Sequence, residues 1–279
     1  MKNDITLSSD FSTIANRIKN GEIELVGGNY KIIDSNSNYY TEASSYCVAV
    51  NKYGYISNGL ILYYDGIDNS GSGHTDPNST WKDLSGNGND ATIAGTCHWT
   101  SNSLDIRQGN VGTITQKTTF SGLKSFTLLI TGDFYTATAT NVWPRIISTN
   151  GNYADEYEKI IGLDLSISNK NEIVDLRTSN GSADTYYYVW LGAKYGYAVT
   201  HSANWNYDTK KLIRMTGSNE TEVTITKFTN INCSQIAMGY GRNNTCGLFR
   251  YHKVQLYNRS LSDEEMSVNN RNDKIRFDM

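Results

Sequence analysis

Between Gly59 and Tyr257 the chain is built of short β-forming runs broken by turn residues, and this rhythm limits the folds open to it. Runs such as LILYYDG, ATIAG, SFTLLITGDF, KIIGLDLSIS, YYYVWLG, KLIRMTG and LFRYHKVQLYN are separated by Gly, Asn, Asp and Ser. Several alternate apolar and polar residues with a period of two. Examples are Glu222-Val223-Thr224-Ile225-Thr226 and Phe249-Arg250-Tyr251-His252-Lys253-Val254. That period describes antiparallel strands with one face in a core and the other wet. Roughly a dozen or more such strands, at about 8–12-residue spacing, form a sandwich or jelly roll. Composition agrees where it bears on this point: 20 Tyr and 24 Gly stand against only 2 Pro. Tyr and Thr suit pleated surfaces, while Gly and Asn supply turns. The expected fold class is all-β, an antiparallel jelly-roll sandwich.

The two ends read differently. In SSDFSTIANRIKNG, Ser9 or Asp10 offers an N-cap, Phe11, Ile14 and Ile18 share a helical face, and Gly21 stops the run. EIELVGG and NYKIID follow as two short strands joined through Gly27–Gly28, and YCVAVNKYGYI reads as a further strand or pair. Residues 1–58 are therefore expected to form a small α+β attachment or capping segment, and residues 59–279 the sandwich domain. After the last strand, Ser262 and Glu265 have the S-x-x-E spacing of a capping box. This predicts a short C-terminal helix from Asp263 to about Asn270.

The stretch WKDLSGNGNDATIAG (81–95) raises a separate question, because Gly86, Gly88 and Ala91 fit the G-x-G-x-x-A form of a dinucleotide fingerprint. That fingerprint needs a buried strand before it and a helix opening at its end. Here the preceding NSTWKDLS is polar, and the following ATIAGTCHW is rich in β-formers. The turn reading has a mechanism: Gly and Asn tolerate positive φ, and Asp and Asn bond their own backbone.

Other function classes lack their signatures. A formal net charge of −3, with Lys210–Lys211 the only adjacent basic pair, argues against a nucleic-acid interface. The opening MKNDITLSSDF carries no apolar run of a secretory signal, and no segment has the length of a membrane span. Cys47, Cys97, Cys233 and Cys246 show no C-x-x-C pair and no zinc spacing. His74, His98, His201 and His252 are too scattered for a metal trio.

Two anchors near the ends of the β region carry a family likeness: GLILYYDG…TWKDLSGNGNDATI (59–93) and LFRYHKVQLYNRSLSDEEM (248–266). They resemble LamG-like jelly-roll domains of the concanavalin A-like lectin/glucanase superfamily. LKSFTLLI (123–130) and YAVTHSANWNYDTKKLIRMTG (197–217) lie between them in the expected order. The resemblance covers about residues 59–270. It implies that Trp81 inserts between two sheets, that Gly86 and Gly88 shape the connecting loop, and that Tyr257 and Leu261 anchor the closing helix beside Ser262 and Glu265. Glucanases of this superfamily carry paired carboxylates on a strand, but E-x-D-x-x-E is absent here. The nearest cluster, Glu156 and Glu158, reads as a solvated loop.

Related sandwiches hold Ca²⁺ on loop oxygens, which makes Asp65, Asp83, Asn87 and Asp90 the candidate metal ligands; the competing reading is Asx turns. No other cofactor is expected. Sugar binding calls for exposed rings beside polar groups, and the candidates are Trp143, Tyr187, Trp205 and Tyr207. The functional expectation is a non-enzymatic virion surface protein of a phage or prophage: a head fibre, decoration or tail-tip component. Residues 1–58 would attach it to other virion proteins. The lectin-like domain would face outward, on the virion surface or outside the cell after lysis, toward bacterial surface glycans. Homo-oligomerisation fits such an appendage. Two alternatives stand beside this reading: a structural spacer without ligand, and a glycan-cleaving enzyme.

Overall fold

The computed structural model describes residues 23–26, 29–33, 39–43, 46–68, 80–95, 97–106, 113–116, 120–135, 145–148, 161–167, 173–180, 187–192, 199–216, 219–224, 231–233, 236–239 and 248–279. Two compact units emerge, Met1–Leu60 with Leu261–Met279, and Ile61–Ser260. The sequence places a boundary at residue 58 and keeps the C-terminal helix with the sandwich; in the division into compact units, residues 261–279 fall with the N-terminal segment.

In that first unit, β1 (Ile23–Val26), β2 (Asn29–Ile33), β3 (Tyr39–Ala43) and β4 (Tyr46–Val50) form an antiparallel meander in chain order. The helix expected between residues 11 and 20 lies outside the described residues. The helix α1 spans Asp263–Phe277, and both halves of the Ser262/Glu265 capping box are formed. It runs a further two turns past the expected stop, and the reason is tertiary. Asn269, Asn272 and Asp273 are weak helix formers, but each is buried and bonded. The Ile56 N–H donates to Asn269 Oδ1 at 3.0 Å, Asn272 Nδ2 donates to the Tyr53 carbonyl at 2.8 Å, and the Tyr55 hydroxyl donates to Asp273 Oδ1 at 2.8 Å. Packing against residues 53–56 thus overrides the local preference for a turn.

The second unit, with the residue that leads into it, holds β5 (Leu60–Asp65), β6 (Thr80–Trp81), β7 (Ala91–Ala94), β8 (His98–Trp99), β9 (Leu104–Ile106), β10 (Thr113–Gln116), β11 (Phe120–Leu123), β12 (Phe126–Tyr135), β13 (Arg145–Ser148), β14 (Ile161–Ile167), β15 (Ile173–Asn180), β16 (Tyr187–Gly192), β17 (Val199–Asn206), β18 (Lys211–Thr216), β19 (Asn219–Thr224), β20 (Ile231–Cys233), β21 (Ile236–Met238) and β22 (Leu248–Tyr257). One eight-stranded sheet has the order β16-β15-β14-β13-β21-β10-β7-β6. The other runs β19-β18-β17-β12-β22-β9-β8, with β5 also paired to β22; β11 and β20 form a separate ribbon. The ladders that link neighbouring strands along these sheets and in the ribbon are antiparallel.

A single core lies between the two large sheets. The first supplies Trp81, Ala91, Ile93, Ile114, Ile236 and Met238. The second supplies Leu62, Tyr64, Phe126, Leu128, Ile130, Trp205, Phe249, Tyr251 and Val254, among others. Period-two patterning explains the split. In β7, Ala91 and Ile93 are buried while Thr92 and Ala94 are exposed. The chain is therefore an all-β antiparallel sandwich with a short C-terminal helix.

One expectation about β22 is corrected. Its alternation predicts one wet face, yet His252, Lys253 and Gln255 are all buried. Across β17, β12 and β22 the register sets Lys253 in a row with Thr131 and Thr200, Gln255 in a row with Leu129 and Ser202, and Tyr257 in a row with Thr127 and Asn204, all buried. Thr127 Oγ1 donates to Asn204 Oδ1 at 2.9 Å, and the hydroxyls of Thr131 and Thr200 meet at 3.0 Å. Alternation in sequence marks which residues share a face, not whether water covers that face.

Candidate functional site

The hairpin β17–β18 brings the sequence-predicted rings into view. Its turn is built by Asn206, whose Oδ1 accepts from the N–H groups of Asp208 and Thr209 at 3.0 and 3.1 Å. Lys210 closes the turn in the left-handed region at φ 56°. Two bonds tie this tip to the connection between β11 and β12: Trp205 Nε1 donates to the Lys124 carbonyl at 2.8 Å, and the Tyr207 N–H donates to Ser125 Oγ at 3.0 Å.

The two rings part company here. Trp205 pairs with Phe126 in register, shares the inward face with Ala203, and is 1% exposed. Its expected role as a sugar-stacking ring is corrected: both faces lie in the core. Tyr207, two residues on and beyond the strand end, stays half-buried. Lys210 Nζ stands 3.2 Å from the centre of its ring and Lys124 Nζ 5.8 Å. Lys124 is exposed and Lys210 half-buried. Among the described residues neither ammonium has a carboxylate partner, whereas the neighbouring Lys211 pairs with Glu222 at 2.8 Å. Trp143 and the side chain of Tyr187 lie outside the described residues, as do Glu156 and Glu158.

The 81–95 stretch is a turn that satisfies itself. Asp83 accepts from the N–H groups of Tyr63, Ser85 and Asn89 at 2.9 Å each and from Ser85 Oγ at 2.8 Å. Asp90 accepts from the Asp83 N–H at 2.9 Å and from Lys82 Nζ at 2.5 Å. Burial alone raises the Asp90 carboxyl. The hydrogen bonds from Lys82 and the Asp83 backbone, with the Lys82 charge, outweigh it and hold the group below its ordinary value. Gly86 and Gly88 sit at φ 88° and 73°, a backbone conformation that favours glycine, with open space where a side chain would stand. Asp65 is wholly buried; its Oδ1 accepts from the N–H groups of Ile67 and Asp68, and its Oδ2 accepts from the Tyr63 hydroxyl. The Asn87 amide donates to Ser85 Oγ at 2.9 Å. The four candidate calcium ligands are thus engaged in turn chemistry. Among the described residues no three His, Cys, Asp or Glu side chains stand together as a metal site. Trp81 is buried, with Nε1 donating to the Asp65 carbonyl at 3.1 Å; Tyr257 and Leu261 are buried as well.

A charged cluster that sequence reading missed lies at one end of the polar rows. Arg250 Nε donates to Asp105 Oδ1 at 2.8 Å, and its Nη1 to Asp133 Oδ2 at 3.2 Å. His252 Nε2 is 3.8 Å from that same Asp133 oxygen, and its Nδ1 is 2.9 Å from the Asn102 carbonyl. Three strands supply these residues: β9, β12 and β22. Only their register brings them together, so no spacing in the sequence announces the cluster.

No protein-family model matches the chain, and no curated protein does. Solved structures match in fold. The binding domain of botulinum neurotoxin DC in complex with rat synaptotagmin II aligns at 8% identity and TM-score 0.57, over 78% of this chain and 52% of that one. A botulinum neurotoxin type C structure, of a toxin whose cell entry depends on interaction with two ganglioside molecules, aligns at 8% identity and TM-score 0.55, over 78% and 52%. The Trypanosoma rangeli sialidase in complex with sialic acid aligns at 14% identity and TM-score 0.55, over 92% and 44%. The chain spans about half the length of these solved chains. At such identities the likeness is one of fold, and the class it defines is the antiparallel β-sandwich.

Proposed function

We propose that the protein is a non-enzymatic glycan-binding module, a LamG-like sandwich displayed on the surface of a virion. The observation that carries glycan binding is the β17–β18 tip. There an aromatic ring is held at half exposure by a strand end, an Asx turn and a hydrogen bond to Ser125, with donor groups beside it. Pyranose ligands use such a pairing of ring and polar groups. The fold supports the reading, since it is shared with a botulinum neurotoxin whose cell entry depends on interaction with gangliosides and with a sialidase in complex with sialic acid. The division into two units supports display: residues 1–60 with 261–279 attach the molecule, and residues 61–260 face outward.

Two measurements test this. A glycan array probed with the full chain is expected to give binding that Tyr207→Ala removes while the unfolding midpoint stays in place. No binding to any glycan, with tight assembly onto a virion protein, would replace the reading with that of a structural spacer. Mass spectrometry of purified particles is expected to find the chain. Its absence from particles, with the chain free in the cytoplasm, removes virion display. Release of reducing ends from a polysaccharide would make the chain an enzyme.

A further inference from the structure

We propose that Lys124, Tyr207 and Lys210 form an anion-reading point, so that the preferred glycan carries a carboxylate or sulfate group. The inference rests on the glycan-binding reading and specifies its ligand class. Two ammonium groups converge on one aromatic ring, at 3.2 and 5.8 Å from its centre. Each is attracted by the ring quadrupole, but they repel one another, and among the described residues neither forms an ion pair with a carboxylate, although Asp208 lies exposed in the same turn. The surrounding chemistry treats charge differently. Lys211, next in the chain, has Glu222, and in the 81–95 loop Lys82 has Asp90, so other surface lysines are matched to acids. The chain as a whole is acidic, at −3, which makes an uncompensated cationic pair a local exception rather than part of a basic surface.

The pair is also held in place before any ligand arrives. Lys124 contributes its carbonyl to the Trp205 indole, which fixes its backbone against a core residue. Lys210 sits at φ 56°, a conformation that few non-glycine residues adopt, at the end of the Asn206 turn. Fixing both backbones lowers the ordering cost of binding. Lysine supplies point charges rather than a planar fork, which suits a carboxylate and a sulfate ester alike. Beside its contact with the sugar, the ring orients the ammonium groups.

The test is equilibrium binding of the full chain to three oligosaccharides sharing one neutral core: the core alone, a sialylated form and a sulfated form. The proposal expects one or both acidic forms to bind at least roughly tenfold tighter than the core. It expects Lys124→Gln and Lys210→Gln each to lose roughly fivefold, a typical effect of one exposed charge. It also expects the preference to shrink from low to high salt, because the contact is exposed. Unchanged unfolding midpoints separate lost contacts from lost folding. Whichever acidic form binds identifies the source of the anion. Equal binding of all three forms, or an acidic preference that survives both glutamine substitutions together, overturns this inference and leaves glycan binding standing. Binding of no oligosaccharide on any array overturns both.

Discussion

The rings of Tyr64 and Trp81 lie 5.1 Å apart and 25° from parallel, and they join strands of the two different sheets across the core. Trp99 meets the same indole edge-on at 5.7 Å. Trp81 is fully buried, and its indole N–H is bonded to the Asp65 carbonyl. Trp81→Ala therefore removes a ring from a packed interior and leaves a cavity, at a cost of about 3–5 kcal/mol. Trp81→Phe keeps much of the ring contact but loses the bond to Asp65, at about 1–3 kcal/mol. Urea unfolding of both variants checks the order. Equal and small losses would mean that the indole is not a core element.

Much of this arrangement is legible in the amino-acid sequence, because period-two patterning and turn chemistry are local. The strand rhythm, the turn over residues 82–90 and the Ser262 cap all follow from neighbours a few residues apart. What is not legible depends on partners far along the chain. Asn269 and Asp273 look like helix breakers until Ile56 and Tyr55 bond to them. His252, Lys253 and Gln255 look like a wet face until their strand is set beside β12. Trp205 and Tyr207 look equivalent, and only the register of β17 against Phe126 sends one ring inward. The Arg250 cluster, drawn from three strands, has no sequence signal at all.

Asp83 is the organising residue of the loop that follows Trp81. Its carboxylate collects three backbone N–H groups and one hydroxyl, and hydrogen bonds to a charged acceptor stabilise more than neutral ones. Asp83→Ala is expected to cost about 2–3 kcal/mol, and Asp83→Asn less, since one acceptor oxygen remains. Calcium at millimolar concentration is expected to leave the thermal midpoint of the wild-type chain unchanged, because these oxygens already have donors. A calcium-dependent rise in the midpoint that Asp83→Asn abolishes would assign the loop to the metal instead.

Acid stability should carry the mark of Asp90. Its folded carboxyl titrates below the ordinary value because the Lys82 and Asp83 hydrogen bonds, with the Lys82 charge, outweigh the upward push of burial. A depressed folded value means that the unfolded chain takes up the proton first. The Asp90 contribution is thus full above the ordinary carboxylate range and fades as pH falls through that range to the lower folded value. The stability difference between wild type and Asp90→Asn is expected to be constant near neutrality and to disappear in strong acid. A difference that grows on acidification would reverse the sign of the linkage. The effect is small, since the pair is substantially exposed.

Arg250 is the residue whose loss should be felt most beyond the hydrophobic core. Its guanidinium serves Asp105 and Asp133 at once, and both carboxylates are about nine-tenths buried. Removing the cation strands two negative charges in a region with little water. Breaking a buried pair costs about 3–5 kcal/mol, and the partial exposure of Arg250 puts the expected loss for Arg250→Met at the lower end. Arg250→Lys is expected to recover only part of it, because a single ammonium cannot reproduce a two-point fork. The origin of the loss can be isolated with a cycle. If stranded charge is the cause, Asp133→Asn will destabilise the wild-type chain yet restore stability in the Arg250→Met background, since there it removes a carboxylate without a cation. Additive losses in the double variant would show that Arg250 acts through packing of its aliphatic stem instead. The cycle is read by urea unfolding at neutral pH, where both carboxylates are charged in the unfolded chain.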